Sequence, residues 1–463
     1  MTYQTVNPYT NELVTSYQYA TEAEIDSTIE KAHEAFLNWR TTGSGDRSKV
    51  LTRAAEPLRA DKQGFAQVLT LEMGKITAEA ESEVELSAEI LDYFADRGAE
   101  FLEDEPLRVK GPSEGTVTIV HEPLGVLYVI EPWNFPYYQV VRVAAAQILA
   151  GNTMVLKHAE NVPASALAMQ KLFDDAGLPE GVFNNLFAPI SATDHIMAHP
   201  LVRGVALTGS EGAGTAVAAA AGKNLKKSTL ELGGADAFIV LDDAEINKTV
   251  AWAVFGRHWN AGQVCVSAKR LIIVDAVYDE FMDKYRAGVA ALRAGDPRDP
   301  GTQLAPLSTQ KAADKLAAEV KMATDHGATA ETLGEPVPTQ GAFYQPTILT
   351  EVKPDNPAYQ TEFFGPVSLV YRVADEDEAI QVANASRYGL GGSVFTRDVA
   401  RGERVARRVE TGMVFVNHPT MVKSDIPFGG VKGSGYGNEL TELGVREFVT
   451  NKVIDVVDID APF

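Results

Sequence analysis

Cys265 is the only cysteine among 463 residues and lies in the run Gly262-Gln263-Val264-Cys265, just after the aromatic, histidine-containing stretch 255–260. A lone thiol can form neither an intrachain disulfide nor a thiolate metal cluster, which leaves three roles: buried filler, redox sensor or nucleophile. Two further motifs hold what a nucleophilic thiol needs. Leu230-Glu231-Leu232-Gly233-Gly234 sets a carboxylate at a predicted strand end, where apolar neighbours would raise its pKa until it takes a proton from a thiol or a water near neutrality. Its plainer reading is an exposed surface glutamate. Pro132-Trp133-Asn134-Phe135-Pro136 fixes an amide that can donate to the oxyanion formed when a thiolate adds to a carbonyl, or it is simply a polar turn.

A fourth motif could hold an anion. Leu207-Thr208-Gly209-Ser210-Glu211-Gly212-Ala213-Gly214 follows a predicted strand and opens an alanine-rich helix, so its backbone N–H groups could cradle a pyrophosphate. The spacing is not the usual Gly-x-Gly-x-x-Gly, and glycine also serves strand-to-helix turns for steric reasons alone. His195 and His199 have the spacing of a helical zinc site, but Ile196 replaces the glutamate of the zinc-protease pattern and Pro200 ends the helix, so no metal site is expected.

These motifs need elements to position them. From 22 to 102 the apolar spacing is helical, as in Ile25, Ile29, Ala32 and Phe36; residues 115–130 read as a hairpin leading into a buried strand. Between 137 and 260, helical patterns alternate with apolar strands at 153–156, 182–186, 202–207 and 237–241, the rhythm of a parallel sheet flanked by helices. A second α/β pattern runs from 268 to 416, with strands at Arg270–Val274 and Val367–Val373. The β-branched end, 448–459, has no local partner and should pair elsewhere, with another subunit as one option.

Length alone suggests two or three domains, and no apolar window is long enough to span a membrane. The N-terminus has no export-signal pattern, so a cytoplasmic location is expected. A net charge of −22 argues against nucleic-acid binding and obliges any anionic cofactor to find local cations or helix N-termini.

Together the motifs resemble the aldehyde dehydrogenase superfamily from end to end. The resemblance rests on Asn7-Pro8, Leu71-Glu72-Met73-Gly74-Lys75, the Trp133-Asn134 turn, the Gly209-Ser210 turn, Glu231-Leu232-Gly233-Gly234, Gly262 to Cys265, Glu362-Phe363-Phe364-Gly365-Pro366 and Pro427-Phe428-Gly429-Gly430-Val431-Lys432. It implies an α/β fold with a Rossmann-like cofactor domain (1–107 and 122–232), an α/β catalytic domain (233–433) and a small β oligomerisation extension (108–121 and 434–463). Relatives form homodimers or homotetramers through such extensions. It also implies that Cys265 attacks an aldehyde, that Asn134 and the Cys265 N–H hold the oxyanion, and that Glu231 activates the water that hydrolyses a thioester. Trp133, Lys157, Glu160, Gly209, Ser210, Gly214, Glu362 and Phe364 are implied cofactor contacts.

At Lys157-His158-Ala159-Glu160 the Glu160 charge would repel a 2′-phosphate while accepting from a ribose diol, which points to NAD, with NADP as the alternative. Arg142, eight residues beyond Asn134 on a predicted helix, could anchor a substrate carboxylate; the competing reading pairs it with a structural carboxylate. Within the resemblance, arginine here marks succinate-semialdehyde dehydrogenases, so succinate semialdehyde is the expected substrate, with Tyr138 and Trp259 also in the pocket. Trp259 stands where some members place a second arginine, which keeps longer or aromatic aldehydes open. A cofactor-independent thiol esterase and a non-catalytic binding protein remain as rivals. Neither explains all the motifs. Ser267 fills the position where some members carry a second cysteine, so no internal disulfide switch is expected.

Overall fold

The strand Val126–Glu131 is apolar without a break from Val126 to Ile130 because both of its faces are covered, and it forms the centre of a six-stranded sheet. On one side it pairs with Thr153–His158, which pairs with Phe183–Asn185; on the other it pairs with Val202–Thr208, which pairs with Lys227–Glu231. All four pairings are parallel, and in chain order the strands lie 3-2-1-4-5 across the sheet, a doubly wound arrangement. In such a sheet a crevice opens outside the carboxyl ends of the two strands where the order reverses. Here those ends are Glu131 and Thr208. The computed structural model describes residues 2–108 and 115–460; the part of the expected β extension at 109–114 lies outside them.

The second α/β unit has seven strands with Ala237–Val240, Arg270–Val274 and Val367–Val373 at its centre, parallel except where Thr329–Thr332 joins Thr347–Thr350 at one edge. The helical pattern of 22–102 becomes four helices, Glu22–Trp39, Ser44–Ala60, Lys62–Met73 and Thr77–Arg97. Thr21 and Glu24 close a reciprocal capping box at the first of them. Among these and later helices, Tyr138–Ala150 is buried at every residue, wedged between the six-stranded sheet and the N-terminal helices.

One expectation about strands changes. Thr116–Pro123 and Val126–Glu131 are not a hairpin: the chain turns at Gly125, in the left-handed region at φ 138°, and the two strands enter different sheets. Thr116–Pro123 instead pairs with Glu105–Leu107 and with the C-terminal strand Val449–Val456, which therefore finds its partner within the chain. That last strand is an outer strand and exposes Val453, Ile454 and Val456. Gly435–Tyr436 adds an antiparallel edge to the six-stranded sheet, so the segment after 434 serves that sheet too. Among the described residues no helix is long and apolar enough to cross a membrane.

Candidate active site

Strand register brings the first set of groups together. Thr208 is opposite Glu231 and Leu207 is opposite Ile130, so Glu131, Thr208 and Glu231 stand side by side at the carboxyl ends of three adjacent strands. The chain leaving Glu131 carries Trp133 and Asn134; the chain leaving Thr208 carries Gly209 and Ser210. A cavity of about 800 Å³ opens above them, and Trp133, Asn134, Gly209, Ser210, Cys265, Glu362 and Phe364 lie on its wall.

Cys265 reaches this cavity from the catalytic side. Past the helix Ile246–His258 and its cap Trp259 come three successive left-handed residues, Asn260 (φ 51°), Ala261 (φ 53°) and Gly262 (φ 77°). The strain of the two non-glycine residues is held by a dense set of hydrogen bonds. Asn260 Nδ2 donates to the Asn134 carbonyl at 3.0 Å, and Gln263 Nε2 donates to the Asn260 carbonyl at 3.1 Å. Asn134 Nδ2 donates to the Gln263 carbonyl at 3.1 Å, and its Oδ1 accepts from Gln139 Nε2 at 3.1 Å. This fixes the amide plane and leaves a second Nδ2 hydrogen for an oxyanion. Burial pushes the Cys265 thiol up to about 12, against the Lys269 and Arg142 cations, which favour the thiolate; Glu362 and Asp236 oppose it. Lys269 Nζ donates to the Val264 and Cys265 carbonyls at 2.6 and 2.7 Å and pairs with Glu362 at 3.1 Å.

On the cofactor side, Ser210 caps the helix Glu211–Lys223, its hydroxyl accepting from Ala213 N at 3.3 Å. The helix N-terminus faces the cavity, and Gly212, on the wall, has open space where a side chain would be. A helix N-terminus beside a glycine cradle suits a pyrophosphate, so the residues present fit a nicotinamide dinucleotide. Trp133 and Phe364 meet edge to face at 5.7 Å, and Glu362 Oε1 accepts from Gly234 N at 3.0 Å. Lys157 lies in the neighbouring strand Thr153–His158 and Glu160 follows it; Lys157 is buried, with its ammonium 5.5 Å from the Tyr3 ring centroid, and burial lowers its pKa while Glu160 raises it. Gly214 is not on the cavity wall. A Cβ there would lie 2.5 Å from Leu232, so glycine at this position permits close helix–strand packing.

Arg142 requires the largest correction. Its guanidinium does not open onto the cavity as a free fork; Nε is ion-paired with Glu439, Nη1 donates to the Tyr138 hydroxyl at 2.8 Å and Nη2 donates to Thr208 Oγ1 at 3.1 Å. The rings of Tyr138 and Phe428 lie 5.0 and 4.5 Å from its centre. A buried cation must be paired, and three buried carboxylates surround this one. Glu231 is 2% exposed and neither of its oxygens has a hydrogen-bond partner among the described residues. Burial, then Glu439, raises its pKa well above the usual carboxylate range, Arg142 opposes this and Glu131 adds to it. Glu131 is raised likewise, by burial and by Glu439.

Tyr138 is thus occupied by Arg142, while Trp259 stacks on Phe255 at 6.0 Å and leans on Phe135 at 5.1 Å. Trp259, Met413, Val422 and Cys265 border one apolar cluster. His195 Nε2 bonds Asp26 Oδ1 at 2.6 Å, and among the described residues no group of three histidine, cysteine or carboxylate side chains that could hold a metal converges. Sequence reasoning missed Glu131, Glu439, Asn260 and Lys269. Only Glu131 carried a local signal, as a charge closing an apolar run.

Comparison with known proteins identifies the family. A succinate-semialdehyde dehydrogenase [NADP(+)] of Deinococcus radiodurans is 50% identical over 452 residues, covering 98% of this chain and 94% of the relative. One from Mycobacterium avium is 42% identical, covering 97% and 96%. The crystal structure of succinic semialdehyde dehydrogenase from Streptococcus pyogenes in complex with NADP+ superposes with a TM-score of 0.96 at 43% identity, covering 98% of this chain and all of that one. The family model described as "Aldehyde dehydrogenase family" matches residues 1–454, and the chain belongs to that family.

Proposed function

We propose that this chain oxidises succinate semialdehyde to succinate, and that it uses NAD in preference to NADP. The observation that carries the reading is the meeting of Cys265 and Asn134 on one cavity wall, opposite a capped helix N-terminus. Near-full-length relatives that bear the name support the substrate.

The chemistry follows from the groups in place. Cys265 gives up its proton to solvent water and its thiolate adds to the aldehyde carbon, with Lys269 and Arg142 favouring the thiolate against burial. Asn134 Nδ2 and the Cys265 backbone N–H receive the oxyanion. Trp133, Gly209, Ser210, Glu362 and Phe364 would hold a nicotinamide dinucleotide, which supplies the hydride acceptor that converts the Cys265 adduct to a thioester. Glu231 acts in its ionised form: burial raises its pKa and so makes the carboxylate a stronger proton acceptor, and it takes a proton from the water that attacks the thioester carbon. The acid leaves and the thiol is restored.

The cofactor preference rests on Glu160, whose charge raises the pKa of Lys157 against burial. A charge at this position disfavours a 2′-phosphate. The named relatives carry NADP(+) in their names, so this chain would differ from them in the point that the charge decides. Homo-oligomers would form through the exposed edge of Val449–Val456.

The test is reduced-cofactor absorbance with purified protein, comparing succinate semialdehyde, butyraldehyde and benzaldehyde under NAD and under NADP. Preference for the semialdehyde with NAD supports both parts. Preference for benzaldehyde would overturn the substrate, and a higher kcat/KM with NADP would overturn the role given to Glu160.

A further inference from the structure

The residues that keep Cys265 and Asn134 in register lie partly outside the cavity, on the helix Thr77–Arg97. Glu79 and Glu83 are four residues apart and so share one helix face. Glu83 Oε1 accepts from the Tyr137 and Tyr138 backbone N–H groups at 2.9 and 3.2 Å, closing the start of the helix that follows Asn134. Its other oxygen is ion-paired with fully buried Lys75, whose ammonium lies 3.7 Å from the Phe135 ring centroid. Glu79 Oε1 accepts from the Asn260 backbone N–H at 3.1 Å, at the first residue of the left-handed turn. One helix face therefore grips both segments that form the candidate oxyanion site.

The Glu79 contact bears on the strained part. Asn260 and Ala261 are non-glycine residues in the left-handed region, a conformation that persists only where surroundings over-determine it. Asn260 is fully buried, so its N–H has no solvent to turn to if Glu79 is lost. The same residue donates through Nδ2 to the Asn134 carbonyl, and its own carbonyl accepts from Gln263 N at 3.0 Å. A shift of Asn260 thus moves Asn134 and the approach to Cys265 together.

We propose that Glu79 is a positioning residue for the nucleophile: by accepting from the Asn260 N–H it locks the left-handed turn 260–262 and so sets Cys265 against Asn134. The proposal rests on the reading of Cys265 and Asn134 as nucleophile and oxyanion donor. What matters is the acceptor oxygen, not the charge. Burial pushes the Glu79 carboxyl up to about 7, with the Asn260 N–H and Lys75 opposing, so the group need not be ionised to serve.

The test compares Glu79→Gln, which keeps an acceptor oxygen, with Glu79→Ala, which removes it, and with Glu79→Asp, which withdraws it by one methylene. Two readouts are taken on the full-length protein: kcat and KM for aldehyde oxidation, and the rate of Cys265 alkylation by iodoacetamide without substrate or cofactor. Because Cys265 is the only thiol, alkylation reports on its setting whatever the true substrate proves to be. Glu79→Ala and Glu79→Asp are expected to lower kcat about 10- to 100-fold with KM little changed, and to change the alkylation rate by about threefold or more. Glu79→Gln is expected to stay within about twofold of the parent in both. Should Glu79→Ala fail to fold, Glu79→Asp and Glu79→Gln decide. Equal damage from Glu79→Gln and the other variants, or no effect of either Glu79→Asp or Glu79→Ala on alkylation, overturns the proposal. If alkylation behaves as expected and no aldehyde is oxidised, the aldehyde-oxidation reading fails, and what stands is the role of Glu79 in setting the Cys265 thiol.

Discussion

Replacing Arg142 with leucine would remove the one guanidinium that stands among Glu131, Glu231 and Glu439, carboxylates that are 2, 2 and 5% exposed. It would also leave the Tyr138 hydroxyl and Thr208 Oγ1 without their donors. Taking one partner out of a buried ion pair costs about 3–5 kcal/mol, because the remaining charge stays desolvated. For a chain of this size that corresponds to a drop on the order of 1 M in the urea midpoint. Glu439→Gln in the Arg142→Leu background should recover much of the loss, since it removes the stranded charge. The catalytic consequence is equally specific. A guanidinium spent on Glu439 and set beside Glu231 acts on every substrate, so kcat/KM should fall by similar factors for succinate semialdehyde and butyraldehyde. The assays are urea unfolding of the two single variants and the double variant, with initial rates on both aldehydes. An Arg142→Leu protein within about 0.5 kcal/mol of the parent, with KM raised only for the semialdehyde, would refute the pairing argument and restore a free carboxylate anchor.

Alkylation of Cys265 should keep accelerating above pH 9, because burial pushes the thiol to about 12 and the thiolate fraction is still rising there; a plateau near pH 8 contradicts this. Glu160→Ser should move the kcat/KM ratio toward NADP by about tenfold or more, measured with both cofactors on one aldehyde. The native-state pKa of Glu79, raised from 4.5 to about 7, makes the folded form hold this proton more tightly than the unfolded chain does. Its contribution to stability is therefore complete below pH 4.5 and lost as the pH rises to about 7, so Glu79→Gln should flatten a decline of about 3 kcal/mol across that window in urea unfolding. Val453→Asp on the exposed strand should reduce the assembled mass seen by light scattering, and an unchanged mass would remove that edge as the contact.

The parts legible in the sequence were those set by local pattern. Apolar strands at regular intervals announced the parallel sheet, and Cys265, Asn134 and the Gly209-Ser210 turn each lay in a motif whose neighbours constrain it. Glu439 was hidden because its partner Arg142 lies 297 positions earlier and no periodicity links them. An arginine in an apolar helix announces that something pairs with it, but not whether that is substrate or protein. The false hairpin at 115–130 arose because Gly125 suits either a hairpin turn or a departure to another sheet, and only tertiary pairing separates the two. Ala261 gave no warning, since alanine carries no mark of the left-handed backbone imposed on it, and although asparagine visits that region more readily than most residues, nothing local to Asn260 announced three such residues in a row.

The helix Tyr138–Ala150, buried along its whole length, also bears on how this enzyme could diversify. A side chain with neighbours on every side can change only if those neighbours change with it, which makes single beneficial steps there rare. Partly buried Trp259, Met413 and Val422, at the edge of the apolar cluster beside Cys265, are under no such constraint. New aldehyde preferences should therefore arise first through those three positions, in laboratory selection as in natural drift, while the helix beneath stays fixed as shared scaffold.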